Sequence, residues 1–81
     1  MWHTYILQCA DETLYTGITT DLIRRVEEHN HSDKGAKYTR ARRPVTLVYS
    51  ESCVSRSTAS SREFELKKLS RKQKLALIKQ N

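Results

Sequence analysis

The sequence predicts a small α/β domain of the α+β kind, in which a three-stranded antiparallel sheet is flanked by about three helices. Three short segments rich in aromatic and β-branched residues are typical of strands, and turn-forming residues separate the first two. Serine or threonine precedes three other segments that have helical spacing of apolar residues. The 81 residues have room for one domain, so we predict a single domain over residues 1–81.

The three predicted strands are Trp2–Cys9, Leu14–Thr19 and Val45–Tyr49. Residues 10–13 supply turn chemistry, so the first two strands are expected to form a hairpin. Gly17 is unusual inside a strand, because glycine has no side chain to pack there. It indicates either a bulge or a position where another group approaches the backbone closely.

The first helix is predicted to follow an N-cap at Thr20 and to end near residues 29–31. We expect its apolar stripe to contain Leu22, Ile23 and Val26, because these residues lie together on a helical wheel. Such a stripe would pack this helix against the sheet.

The rest of the chain divides into a basic loop and two further helices. The loop is Lys34–Arg43, in which five of ten residues are basic. Ser55 or Ser57 can cap a helix that runs to about Leu69. Ser70–Gln73 matches a capping box, which predicts that the last helix begins there.

Charge is distributed unevenly along the chain. Residues 1–33 contain two basic and six acidic residues, whereas residues 34–81 contain thirteen basic and three acidic residues. The net charges of these two parts are therefore −4 and +10. The basic part indicates a polyanionic partner such as nucleic-acid phosphates, and a solvated surface without a partner is the alternative.

The two cysteines, Cys9 and Cys53, lie in apolar, strand-like segments and do not form a C-x-x-C pair. This pattern argues against a zinc site or a disulfide framework and favours buried thiols in a reducing compartment. The sequence shows no secretion signal and no apolar run of transmembrane length. We therefore predict a cytoplasmic protein without a membrane partner.

Glu63 is the first candidate for chemistry. With Ala59 and Leu66 it follows the spacing i, i+4, i+7, so its carboxylate is expected within the apolar stripe of a helix. A carboxylate in that position needs a metal ion, an arginine or a hydrogen-bond network, because an unpaired buried charge is costly. A structural salt bridge is one alternative, and Phe64 on the opposite side of the wheel allows a different helix phase.

Two tyrosines, an arginine and a histidine are the other candidates. Tyr5 and Tyr15 lie near the middle of the paired strands, where a short turn brings side chains together. Arg25 and His29 lie one turn apart at the border of the first helix's apolar stripe, so both are expected to be held firmly and to reach solvent. A guanidinium and an imidazole can together bind a phosphate. Packing tyrosines and ordinary surface residues are the alternatives.

The order of these residues along the chain resembles that of the GIY-YIG nuclease family. The two half-motifs correspond to His3–Tyr5 and Tyr15–Gly17, and YTGITTDLIRRVEEH at 15–29 matches the family's strand, turn and helix. REFELKKL at 62–69 is similar to the helix that carries the family's metal-binding glutamate. HSDKGAKYT at 31–39 and the short length are closest to the stand-alone bacterial, YhbQ-like members.

The resemblance implies a GIY-YIG-like fold and an endonuclease that hydrolyses phosphodiester bonds in DNA with one divalent metal ion, Mg²⁺ or Mn²⁺. It implies that Glu63 binds the metal and that Tyr5 activates the attacking water, with Tyr15 positioning water and phosphate. Arg25 would stabilise the transition state, and His29 would contribute secondarily. The basic residues expected to hold the nucleic-acid backbone are Lys34, Lys37, Arg40, Arg42 and Arg43.

The sequence departs from the family pattern at the first half-motif, where His3 and Thr4 replace glycine and isoleucine while Tyr5 is retained. The length also leaves no room for the separate DNA-recognition domain that many family nucleases carry. We therefore expect either that the protein selects nicked, branched or damaged DNA by its structure, as in DNA repair, or that a protein partner supplies recognition. The sequence does not distinguish RNA from DNA as the substrate.

Two other functions are consistent with these residues. A non-catalytic nucleic-acid-binding module would keep the scaffold and the basic loop, and an interaction adaptor would use the last helix. The nuclease hypothesis requires Tyr5, Tyr15, Arg25 and Glu63 to converge on one face of the fold. The two alternatives do not require this convergence, so it discriminates the nuclease from both of them.

Overall fold

The computed structural model describes residues 1–80, which form three strands and four helices. In chain order these are β1 (Trp2–Gln8), β2 (Leu14–Thr19), α1 (Leu22–His31), α2 (Lys37–Arg40), β3 (Thr46–Cys53), α3 (Arg56–Lys67) and α4 (Arg71–Lys79). The strands make one antiparallel sheet in the order β2-β1-β3. The predicted α+β fold is confirmed, and a short fourth helix joins the three predicted ones.

The central strand β1 sets the register of the sheet. Its pairing with β2 is regular, with Tyr5 opposite Gly17 and Leu7 opposite Tyr15. The register with β3 shifts between Ile6 and Leu7, so the sheet's irregularity lies on that side. Gly17 is therefore not part of a bulge. The Tyr5 ring lies against its backbone, which confirms the close-approach interpretation.

Two apolar clusters lie on opposite faces of the sheet, because alternate side chains of a strand point to opposite sides. The first contains Tyr5, Leu7, Cys9 and Val45, with Tyr15, Leu22 and Val26 packed against it. The second contains Ile6, Tyr49 and Leu66, with Leu14, Val48, Leu69, Leu77 and Ile78 packed against it. Helix α1 thus covers one face, and α3 and α4 cover the other. Both cysteines are buried free thiols, as predicted.

The N-cap of α1 differs from the predicted one. Asp21, not Thr20, is the N-cap residue, and its carboxylate accepts a hydrogen bond from the Arg24 backbone N–H at 3.1 Å. The negative charge also interacts favourably with the positive end of the helix dipole, which a neutral threonine hydroxyl does not. The prediction was therefore wrong by one residue.

The buried face of α1 also differs from the predicted stripe. Ile23 is 85% exposed, whereas His29 is completely buried. At about 100° per residue, Leu22, Val26 and His29 form one line, Arg25 flanks it, and Ile23 points well away from it. The predicted stripe was therefore wrong at Ile23, and the expectation that His29 reaches solvent was wrong as well.

Two segments have more regular structure than the sequence predicts. The predicted loop 34–43 contains the one-turn helix α2, which lacks a side-chain N-cap and is held by a hydrogen bond from the Thr39 hydroxyl to the Ala36 carbonyl. Strand β3 continues to Cys53 instead of ending at Tyr49. Its alternate residues Tyr49 and Cys53 are buried while the intervening serines face solvent, so its second half is an amphipathic strand.

The last two helices begin where their capping residues predict. Ser55 caps α3 by accepting a hydrogen bond from the Thr58 N–H, and Ser70 and Gln73 form the capping box of α4. Within residues 1–80, no helix combines the length and the apolarity needed to cross a membrane.

Candidate active site

The Tyr5 hydroxyl lies at the centre of the candidate site, where β1 faces α1. Its oxygen is 2.9 Å from Nε2 of His29, and the two residues are 1% and 0% exposed. The Tyr5 ring occupies the space above Gly17 that a side chain on β2 would otherwise fill. The sheet and α1 therefore hold a buried tyrosine–histidine pair.

Thr39 on α2 determines which nitrogen of His29 carries the proton. The Thr39 hydroxyl donates to the Ala36 carbonyl at 2.9 Å, so its oxygen accepts from Nδ1–H of His29 at 2.8 Å. The Ala36 N–H also donates toward Nδ1, but at 3.4 Å this is the weaker of the two contacts. The shorter contact with Thr39 favours the Nδ1–H tautomer, in which Nε2 accepts the hydrogen bond from the Tyr5 hydroxyl.

Aromatic contacts extend the site from the sheet to α2. The Tyr15 ring meets the edge of His29 at a centroid distance of 5.3 Å and stacks on Tyr38 at 5.9 Å. The Arg42 guanidinium lies over the Tyr38 ring, 3.9 Å from its centroid. Tyr38 and Thr39 lie in the 31–39 segment that is similar to the stand-alone members, but the sequence assigns neither residue a role, because neither belongs to a half-motif or to a periodic pattern.

Arg25 lies on α1 one turn before His29. Its Nη1 atom donates to Glu28 Oε1 at 3.0 Å and to the Lys34 carbonyl at 2.9 Å. Because both bonds use Nη1, the other guanidinium donors can serve Tyr5 and a bound anion. The side chain is 26% exposed, so it connects the buried pair to solvent.

Glu63 approaches the site from α3. It lies in line with Ala59 and Leu66, which are completely buried, as the predicted stripe requires. Its carboxylate is partly buried and pairs with the Lys67 ammonium at 3.4 Å, one helical turn further along. The carboxylate thus has a cationic partner on its own helix and still reaches solvent.

Burial and nearby charges together set the pKa of Tyr5. Burial raises the pKa of Tyr5 to about 12, the Arg25 guanidinium acts in the opposite direction, and the charges of Tyr15 and Glu63 raise it further. Direct contacts thus join Tyr5, Tyr15 and His29, and the charges of Arg25 and Glu63 act on Tyr5. A phenol with this pKa carries its proton at neutral pH, so Tyr5 is not a resident phenolate.

His29 is neutral at neutral pH. Burial, the nearby charge of Arg25 and the weaker influence of Arg43 lower its pKa to about 4, while the Glu28 carboxylate opposes this shift. A neutral imidazole with its proton on Nδ1 can accept a hydrogen bond, or a proton, at Nε2.

We expect the buried His29 to make the protein less stable in mild acid. Its pKa is about 4 in the folded state and about 6.5 in the unfolded chain, so the unfolded chain takes up the proton first as the pH falls. Between pH 7 and pH 4 the free energy of unfolding should fall by about 3 kcal/mol more in the wild type than in His29→Gln, which cannot titrate. Urea unfolding across this range measures the difference. Equal pH dependence in the two proteins would contradict a buried neutral His29.

The three arginines predicted to bind nucleic acid make contacts within the protein. Arg43 donates to three carbonyls at the C-terminal end of α1. Arg40 donates to the Asp33 carbonyl, and Arg42 donates to the Asp11 carboxylate at 3.1 Å. These guanidinium groups therefore hold the 34–43 segment against α1 and the β1–β2 turn.

The two predicted lysines of this segment are arranged differently. Lys34 and Lys37 are exposed, and neither forms an ion pair with the described part of the chain. Gly35 between them packs so closely on α1 that a Cβ there would be 2.7 Å from the Glu28 carbonyl oxygen. The backbone is thus fixed beside Arg25 while both ammonium groups can contact an anion.

Similarity to known proteins identifies the family of this chain. The sequence model of the GIY-YIG catalytic domain matches residues 1–76. The chain belongs to the GIY-YIG family of nuclease domains, whose members generally use divalent metal ions.

Several relatives are UPF0213 proteins. The chain is 62% identical over 78 residues to one from Desulfotalea psychrophila, covering 96% of this chain and 71% of that protein. It is 58% identical over 78 residues to one from Halobacterium salinarum, covering 96% of this chain and 100% of that protein. The solution NMR structure of a UPF0213 protein from Bacillus halodurans has a TM-score of 0.63 and 45% identity, covering 100% of this chain and 86% of that chain. The predicted resemblance to short stand-alone members of the family is confirmed.

Proposed function

We propose that this chain is an endonuclease that hydrolyses phosphodiester bonds in DNA with one divalent cation, Mg²⁺ or Mn²⁺. The observation that carries the proposal is the convergence on Tyr5 of a second tyrosine, an arginine, a neutral histidine and a carboxylate. Phosphodiester hydrolysis needs a proton acceptor, cationic donors and a ligand for the cation, and this set contains each of them. Membership of the GIY-YIG family supports the same reaction.

Glu63 is the residue that would hold the cation. No cluster of three His, Cys, Asp or Glu side chains within residues 1–80 could enclose a metal ion. A single carboxylate still suits Mg²⁺, which keeps several waters and binds proteins through one or two carboxylates together with substrate phosphate. When bound, the cation would polarise the phosphate and stabilise charge on the leaving oxygen.

Tyr5 and His29 would move the proton of the attacking water. Because Tyr5 is protonated at neutral pH, it can accept the water's proton only if it passes its own proton on. Nε2 of His29, 2.9 Å away, is the acceptor, and Thr39 keeps that nitrogen unprotonated. As the new P–O bond forms and the old one breaks, the proton passes from water to Tyr5 and from Tyr5 to His29. Because its pKa is about 4, His29 must then give up this proton to return to the neutral form.

Arg25 would stabilise the negative charge that develops on the phosphate. With side-chain exposures of 26% and 25%, Arg25 and Glu63 form the open part of the site, whereas Tyr5 and His29 are shielded. The phosphate would therefore enter between the guanidinium and the carboxylate. The half-buried Tyr15 would orient the phosphate and the water.

A nicking assay tests the proposal. Purified protein is incubated with supercoiled plasmid and with a branched DNA duplex in Mg²⁺ or Mn²⁺, with EDTA as the control and a branched RNA as the comparison. We expect metal-dependent cutting of DNA that EDTA prevents. Intact DNA binding without any cutting would instead assign the chain to a non-catalytic nucleic-acid-binding module, and cutting of RNA alone would reassign the substrate.

A further inference from the structure

The end of α3 and the whole of α4 carry a dense positive charge, of which only Lys67 contacts a residue of the candidate active site. We call this region the α3–α4 basic surface, and its residues are Lys67, Lys68, Arg71, Lys72, Lys74 and Lys79. Residues 66–80 contain no acidic residue. Like charges at this density repel one another unless a polyanion or salt screens them, so the surface has the electrostatics of a phosphate-binding face.

The solvent side of α4 carries lysine side chains, and Ala76 is exposed among them. Leu77 and Ile78 pack against the cluster around Ile6, which leaves Lys72 and Lys79 exposed on the outer side. Neither lysine has an ion pair with any described residue. Their ammonium groups therefore differ from the guanidinium groups of residues 40–43, which are bonded within the protein.

The shape of α4 suits a nucleic-acid strand. A shallow depression of about 590 Å³ runs along the helix and is lined by Arg71, Lys72, Leu75, Ala76 and Lys79. The helix is about 13 Å long at 1.5 Å per residue, which matches about four nucleotides of one duplex strand.

The basic surface is also continuous with the candidate active site. Glu63 pairs with Lys67, and Lys68 follows at the end of the same helix. Arg71 then joins α4 to the β1–β2 turn through a hydrogen bond of 2.6 Å to the Glu12 carbonyl. A strand whose phosphate lies beside Glu63 would therefore meet Lys67, Lys68 and Arg71 on the way to α4.

We propose that the α3–α4 basic surface binds the sugar–phosphate backbone of the substrate at positions beyond the cleaved phosphate. This inference rests on the proposed function, because it extends the same nucleic-acid substrate over a second surface. No large apolar side chain of α4 is strongly exposed, so α4 lacks the bulky apolar face with which interfacial helices enter a membrane. Phe64 on α3 is 61% exposed, and the Lys68 ammonium lies over its ring, 4.2 Å from the centroid. The occupant that fits is a nucleic-acid backbone.

The test measures how DNA affinity depends on salt. Fluorescence anisotropy with a labelled branched duplex, in EDTA and from 50 to 300 mM KCl, compares the wild type with Lys72→Ala/Lys79→Ala. If both lysines contact phosphates, the slope of log K against log salt should decrease by about 1.8, with an affinity loss of at least about tenfold at 100 mM. The matched control is Arg24→Ala/Arg56→Ala, which removes two exposed charges from α1 and the start of α3.

The outcomes separate this inference from the proposed function. If the slope of log K against log salt changes equally in both variants, or in neither, the surface assignment is overturned. A positive nicking assay would still support the nuclease in that case. Loss of binding to phosphatidylserine vesicles, with an unchanged DNA slope, would assign the surface to a membrane and also overturn it. A slope change confined to the α4 variant, in a protein that never nicks DNA, would support the surface and overturn the nuclease.

Discussion

Glu63→Gln is expected to lower the single-turnover rate of DNA cleavage by about 10³-fold while leaving DNA affinity within about threefold. The substitution keeps the size of the side chain and its position in line with Ala59 and Leu66. It removes the charge that would hold the cation, and the cation acts mainly on the transition state. Quench-flow cleavage of a labelled branched duplex gives the rate, and anisotropy in EDTA gives the affinity.

Glu65→Gln is the matched control for this change. It makes the same chemical substitution two residues further along α3, where the carboxylate is more exposed and lies 3.8 Å from Arg62. We expect it to cleave at the wild-type rate, because an exposed ion pair of this kind contributes little. If Glu63→Gln also kept the wild-type rate, Glu63 would not be the ligand of a catalytic cation.

Gly17→Ala is expected to reduce cleavage by about 100-fold, because it displaces the Tyr5 hydroxyl from His29. A Cβ at this position would be 2.5 Å from the Tyr5 hydroxyl oxygen and 2.7 Å from Cζ, so the ring must move. Such crowding in a packed core also costs about 1–3 kcal/mol of stability. Thermal unfolding followed by cleavage well below the variant's Tm separates the two effects.

Thr16→Ala serves as the control in the same strand. Thr16 is buried on the opposite face of β2, and its hydroxyl has no hydrogen-bond partner in the described part of the chain, so its removal leaves no unpaired group. We expect cleavage within threefold of the wild type. A Gly17→Ala protein that folds and cuts at the wild-type rate would show that the position of Tyr5 against His29 does not matter for the reaction.

Short-range patterns predict much of the fold because their causes lie within a few residues. The bounds of β2 and the capping box at Ser70 and Gln73 follow from local composition and spacing, and the structure confirms both. The continuation of β3 to Cys53 does not follow from local composition. Its serines resemble a loop, and pairing with β1 and burial of alternate residues make it a strand.

The sequence predicts the position of a site residue when that position depends only on the helix that carries the residue. The spacing of Glu63 with buried residues on α3 is of this kind. The burial of His29 is not, because it depends on Tyr5 and Thr39, which come from other elements. Composition likewise gives the charge of the 34–43 segment without showing that Arg43 is used to cap α1.

Single-turnover cleavage by Tyr5→Phe, Glu63→Gln and the double variant tests most directly whether these residues form one catalytic site. When two residues act as a unit on one phosphate, replacing the second causes little further loss of rate once the first has been replaced. We therefore predict that the double variant cleaves the branched duplex about as slowly as the slower single variant. Losses that multiply, or single variants that retain the wild-type rate, would contradict a shared site.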